Sequence, residues 1–312
     1  MPYLSHLTGE TPTDEQPDLY YRDYGPRDAA ETLVLVHGWP FSLDMWDHQW
    51  TRLPAQGYRV VGYDRRGFGK SGKPLLSGRR FGGYDYDTLA ADTKRVLDAL
   101  DLEAVTLVGF SMGGGEVARY LGRYGAHRVA RANFVSSVTP YLAEADDNPD
   151  GVDPQVFADM KDALRADRAD FLASWAKKFY GVGLLSHPVS DAWLDFTFAR
   201  VMEASPVATL HCVDAFAHTD FRDDLRGINV PTMFCHGADD AIVPLAASAD
   251  RAHELVAGSV LHVYDGAPHG LPVTHWSAYN DHLTEFIRQN PRQSAQQVHT
   301  DAGSMAGDPV GR

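Results

Sequence analysis

Short β-branched and aliphatic runs, each followed by a polar or helically spaced stretch, recur along most of the chain. Asp18–Tyr24 predicts an edge strand, and Thr32–Val36 and Tyr58–Tyr63 predict buried ones. Asp85–Leu100 has the apolar spacing of a helix, and Val105–Phe110 follows as another buried strand. Val129–Val135, Pro231–Cys235 and Ser259–Tyr264 continue the series, with helices after them. Strands separated by helices imply parallel pairing through right-handed crossovers. The expected fold is therefore α/β, a doubly wound, mostly parallel sheet built from residues 18–136 and 225–290.

One region breaks the alternation. Residues 137–224 contain no run that reads as a core strand and carry helical segments rich in aromatics, among them Phe157, Phe171, Trp175, Phe179, Trp193 and Phe216. A helical insertion between two strands of such a sheet sits over the carboxyl ends of the strands, where ligands bind, so 137–224 is expected to be a cap. Residues 1–17 have no periodicity and read as a loose leader. Residues 291–312, rich in Gln, Ser, Gly and Pro, read as a disordered tail.

The most informative stretch is Val105–Tyr124. Its first half is the buried strand and its second half has Val117, Ala118 and Leu121 on one helical face. Between them lies Gly109-Phe110-Ser111-Met112-Gly113. A strand turning sharply into a helix forces the serine into an unusual backbone angle and requires small neighbours. It lifts the hydroxyl clear of the sheet at a helix N-terminus, where backbone N–H groups favour developing negative charge.

Composition narrows the class without naming a function. A chain of 312 residues with 44% hydrophobic content suits one large domain, or one domain with an inserted cap. The formal charge of -14 argues against nucleic acid and anionic membrane surfaces as partners, and no apolar run approaches a membrane span. Cys212 and Cys235, the only cysteines, suit a reducing compartment. With no basic-then-apolar segment in the first ten residues, the expected location is the cytoplasm.

A serine hydroxyl needs a base, usually a histidine oriented by a carboxylate. Of 14 histidines, His269 stands in a Gly- and Pro-rich loop directly after the last expected strand, whereas His253, His262, His275 and His282 fall in regular elements. The acid should also follow a strand. Asp239 and Asp240 both qualify; Asp240 is the choice, with Asp239 the rival as a solvated turn residue. For an oxyanion hole, one donor is the backbone N–H of Met112, after the nucleophile. The other is that of Trp39 in His37-Gly-Trp-Pro40, since Pro40 has no N–H. His37 is expected to pin this loop and not to act chemically. Asp64-Arg-Arg-Gly-Phe-Gly-Lys-Ser71 lacks the phosphate-loop spacing and reads as a turn, and no set of residues has zinc-ligand spacing, so no metal is expected. Trp175 and Phe179, four apart on one helical face, either pack the cap or line a pocket beneath it.

With these residues placed, the chain resembles the α/β-hydrolase superfamily, and within it the cofactor-free haloperoxidase, perhydrolase and aryl-esterase group. The resemblance covers residues 18 to 290. It rests on His37-Gly-Trp-Pro40, Asp64-Arg-Arg-Gly-Phe-Gly69, Gly109-Phe-Ser-Met-Gly-Gly-Gly-Glu116, Asn148-Pro-Asp-Gly151, His236-Gly-Ala-Asp-Asp240 and Gly266-Ala-Pro-His-Gly270. It implies Ser111, Asp240 and His269 as a triad, Trp39 and Met112 as oxyanion donors, and Trp175, Phe179, Phe216 and Ile242 as pocket walls. Phe110 and Pro40, beside the nucleophile and the oxyanion tryptophan, are counted with the substrate-binding residues.

The same resemblance implies no cofactor. A serine acyl-enzyme forms from a small ester or short carboxylic acid, and water or hydrogen peroxide takes the acyl group, giving an acid or a peracid. Proline after the oxyanion tryptophan looks like the peroxide-competent branch, and assembly as a trimer or hexamer is common in the group. A lactonase or amidase would use the same triad, and a ligand-sensing protein could keep the fold and pocket. A haloalkane dehalogenase would need a carboxylate in place of Ser111.

Overall fold

The computed structural model describes residues 2–292 of the chain. Seven strands form one sheet: β1 (Tyr21–Tyr24), β2 (Thr32–Val36), β3 (Arg59–Tyr63), β4 (Val105–Phe110), β5 (Val129–Val135), β6 (Thr232–Gly237) and β7 (Val260–Tyr264). Twelve α-helices accompany them among the described residues. The first four are α1 (Ser5–Thr8), α2 (Asp47–Arg52), α3 (Tyr86–Ala99) and α4 (Met112–Tyr124). Then come α5 (Pro154–Ala166), α6 (Arg168–Phe179), α7 (Asp191–Val201), α8 (Pro206–His218) and α9 (Arg222–Arg226), followed by α10 (Ala249–Leu255), α11 (Leu271–Thr274) and α12 (Trp276–Gln289). Every strand expected from the sequence is present.

The strand order is β1-β3-β2-β4-β5-β6-β7, parallel throughout except for the antiparallel β1–β3 pair at one edge. β2 and β4 are buried along their whole length, which is why they read as unbroken apolar runs. After β2 the chain goes to β3 on one side and then crosses to β4 on the other, so the winding reverses between β2 and β4. At such a switch point the loops leaving neighbouring carboxyl ends diverge and open a crevice. The loops here are those carrying Trp39 and Ser111.

Five helices, α5 to α9, lie between β5 and β6, with only isolated bridges at Ala143–Val152 and Ala145–Asn148. No described helix is long and apolar enough to cross a membrane.

The leader differs from the expectation of a loose segment over 1–17. Leu4 is 2% exposed, its N–H donates to Leu19 O at 3.0 Å, Tyr21 N–H donates to Pro2 O at 2.9 Å, and Ser5 Oγ bonds Asp18 Oδ2 at 2.5 Å. The start of the chain thus pairs with the residues leading into β1 and buries one leucine, a contact without periodicity and so invisible to pattern reading. Most of the expected tail, residues 293–312, lies outside the described residues.

Candidate active site

The turn from β4 into α4 places Ser111 at φ 53°, ψ -119°, a region side chains rarely adopt. Close packing enforces it. A Cβ on Gly109 would lie 2.5 Å from the Gly113 carbonyl oxygen, and one on Gly113 would strike the Val36 carbonyl. The Ser111 N–H donates to Val135 O at 2.8 Å, fixing the elbow to β5.

His269 arrives from the loop after β7. Its Nε2 lies 2.9 Å from Ser111 Oγ, and its Nδ1 lies 2.6 Å from Asp240 Oδ2. Asp240 comes from the loop after β6. Its other oxygen, Oδ1, accepts from the backbone N–H of Ile242 at 2.9 Å and of Val243 at 2.8 Å. Asp239, the rival carboxylate, is exposed and reaches none of these groups. Burial works against ionising Asp240, but His269 and His236 outweigh it and hold the carboxyl well below its usual range. Asp240 is therefore a carboxylate at neutral pH, the state that fixes Nδ1 as the protonated imidazole nitrogen and leaves Nε2 to accept from the serine.

Two backbone N–H groups at the switch point lack a partner. Met112 opens α4, so its N–H is among the unpaired donors of the first turn. The Trp39 N–H makes no hydrogen bond to any described residue. The Trp39 loop is held from beneath. His37 Nε2 accepts from Arg65 N–H at 2.9 Å, and its Nδ1 donates to Gly38 O at 2.8 Å. Burial, then the nearby Arg65 charge, drives the His37 pKa far down, so the ring stays neutral as these bonds require. The indole of Trp39 donates to Thr209 O on α8 at 3.1 Å, tying the loop to the helices above.

A cavity of about 500 Å³ opens over Ser111 and His269. Trp175, Phe216 and Ile242, three of the expected pocket walls, line it, and so does Trp39. Three other residues expected to contact substrate do not line it. Phe110 and Phe179 are buried at 0% and 1% exposure, with ring centroids 5.1 Å and 5.2 Å from that of His269. They wedge the imidazole in place, and the Phe179 carbonyl also accepts from Gly270 N–H at 2.9 Å. Pro40 is buried outside the lining. Among the described residues no group of three or more His, Cys, Asp or Glu is placed to hold a metal ion.

Residues 31–275 match the family model described as alpha/beta hydrolase fold. The chain belongs to the α/β-hydrolase family. Within that family it is 41% identical, over 90% of its length and 99% of the relative, to a non-heme chloroperoxidase of Streptomyces lividans. It is 37% identical, over the same shares of the two chains, to a bifunctional esterase/perhydrolase of Acinetobacter calcoaceticus. Among solved structures, a bromoperoxidase from Bacillus anthracis superposes with a TM-score of 0.82 at 41% identity, covering 87% of this chain and 96% of that one.

This hydrolase also contains contributors that sequence reasoning missed. His236 Nε2 lies 3.3 Å from Asp240 Oδ2 and 2.9 Å from Val243 O, a second partner for the acid. It sits inside the His236-Gly-Ala-Asp-Asp240 stretch near the end of β6, where a buried histidine reads as core. Val138, Leu142, Val152 and Met160 line the cavity from loop and helix positions whose periodicity is too weak to single them out.

Proposed function

We propose that this hydrolase cleaves small carboxylic esters through an acyl-enzyme on Ser111, with hydrogen peroxide able to replace water as the second nucleophile. The observation that carries the reading is the unbroken hydrogen-bond chain Asp240–His269–Ser111, opening into an apolar cavity. His269 Nε2 takes the serine proton as Oγ attacks the ester carbonyl. Asp240 stabilises the resulting imidazolium, and the backbone N–H groups of Met112 and Trp39 receive the oxyanion. The protonated imidazole then gives its proton to the departing alcohol. Water or peroxide, deprotonated by the same nitrogen, attacks the acyl-enzyme and releases acid or peracid. Residues 137–224 serve as a cap supplying the apolar walls against which the acyl group packs.

Hydrolysis of p-nitrophenyl acetate by the wild type and by Ser111→Ala tests the first half. Turnover by the wild type that disappears in the variant is expected, and full activity in the variant overturns the reading. The peroxide branch is carried by the names of the relatives and by Pro40, whose fixed φ constrains the Trp39 loop. Replacing Pro40 by leucine should depress peracid formation relative to ester hydrolysis; an unchanged ratio removes Pro40 from the argument. Assembly as a trimer or hexamer and residence in the cytoplasm belong to the same proposal, and light scattering reads the first of these.

A further inference from the structure

The reacting groups are sunk at the bottom of the cavity: Ser111 is 6% exposed and His269 1%. Above them the lining is almost wholly aliphatic and aromatic, and no carboxylate contributes to it. Apart from Ser111, His269 and the indoles of Trp39 and Trp175, its polar side chains are those of Ser174 and Lys178. These two stand four apart on α6, interleaved with Phe171 and Trp175, so one face of a single helix runs along the cavity. Trp175 on that face is buried, whereas Ser174 and Lys178 are exposed, which puts them at the mouth. Neither the Ser174 hydroxyl nor the Lys178 ammonium bonds another described residue, while the neighbouring Lys161 is already paired with Asp214 at 2.5 Å.

We propose that Lys178, with Ser174 beside it, forms a mouth subsite for the anionic end of the acyl chain, so that half-esters of dicarboxylic acids are the favoured substrates. The inference rests on the ester-hydrolase reading above and adds the substrate class. A chain with an ester at one end and a carboxylate at the other matches the cavity's polarity along its length. The ester meets Ser111, the methylenes meet the apolar walls, and the carboxylate meets an ammonium and a hydroxyl where solvent begins. A lysine in the last turn of a helix also suits the helix dipole, and that role alone would leave substrate choice untouched.

The test compares mono-p-nitrophenyl adipate with p-nitrophenyl hexanoate, acyl chains matched in carbon number and differing in the terminal carboxylate. A third ester, para-carboxyphenyl hexanoate, places the charge on the leaving group instead. Wild-type turnover of the hexanoate tests the hydrolase reading independently, so failure of one is not failure of the other. The adipate-to-hexanoate ratio of kcat/KM should fall roughly two- to five-fold in Lys178→Met at low ionic strength, the range of an exposed ion pair, and further in Lys178→Glu. The difference should shrink as added salt screens the pair. Equal ratios in wild type, Lys178→Met and Lys178→Glu overturn the proposal. So does a ratio that moves only for para-carboxyphenyl hexanoate, which would place the charge on the alcohol side.

Discussion

Arg65 and Glu116 form an ion pair in which neither side chain has any exposed surface. Glu116 also accepts from Tyr63 OH at 3.1 Å, while an Arg65 guanidinium nitrogen donates to the His37 carbonyl. The pair therefore joins the helix that begins at the nucleophile to the loop that carries Trp39. Burial, with a smaller push from the Asp92 charge, lifts the Glu116 carboxyl above its ordinary value, and the Arg65 charge opposes that rise.

Breaking this pair on one side strands a buried guanidinium. Glu116→Ala should lose about 3 to 5 kcal/mol of unfolding free energy. The double variant Arg65→Met/Glu116→Leu should recover most of that stability while kcat stays depressed, because the His37 carbonyl has lost its donor. Urea unfolding beside ester kinetics reads both. A double variant no more stable than the single one contradicts this account.

The strain at Ser111 gives a second expectation. At φ 53°, ψ -119° a side chain costs about 1 to 3 kcal/mol, and glycine is free of most of that cost. Ser111→Gly should be inactive yet more stable than Ser111→Ala by about 1 kcal/mol, once the larger entropy loss of glycine is included. Thermal unfolding of the two inactive variants decides it. If the alanine form is the more stable, the elbow is not strained.

Much of the fold was legible because its signals are local. The interior strands are buried on both faces, so β2 and β4 stand out as apolar runs, and Gly109 and Gly113 mark the elbow by what they lack. Ser111, His269 and Asp240 were legible because each sits just past a strand, where a doubly wound sheet collects its loops. Less legible was anything decided by contacts remote in sequence. Leu4 pairs beside Leu19 without periodicity, and nothing in the order of residues says that Phe110 and Phe179 press on the imidazole and leave the cavity to other side chains. His236 was missed because a histidine at the end of a strand looks like core until its distance to Asp240 is known.

Trp39 contributes through its backbone, and its indole serves another purpose, the 3.1 Å bond to Thr209 O. Trp39→Phe keeps the N–H and loses the indole donor. Stability should drop by about 1 kcal/mol. Activity on p-nitrophenyl acetate should stay within about tenfold of wild type, well short of the roughly hundred- to thousandfold loss seen when an oxyanion donor is removed. A loss as large as that would mean that the side chain itself, or the loop shape it maintains, is needed.

Asp64, at the end of β3, gives a pH signature. It is 2% exposed, its oxygens accept from Leu43 N–H and Lys70 N–H at 2.8 Å each, and burial pushes its pKa from 3.8 up to about 6. The folded protein then binds this proton more tightly than the unfolded chain does. Between pH 6 and 3.8 the native state holds more of the proton, so this group adds stability as the pH falls and withdraws it as the pH rises. Asp240 has the opposite sign, since its lowered pKa favours the native state at neutral pH and is lost in acid. Its contribution is common to wild type and Asp64→Asn and cancels in their difference. Urea unfolding of both proteins at pH 7 and at pH 4 should therefore show the wild type gaining on Asp64→Asn by about 2 kcal/mol at the lower pH. A difference that stays flat, or reverses, would show that Asp64 is held ionised by its two backbone donors.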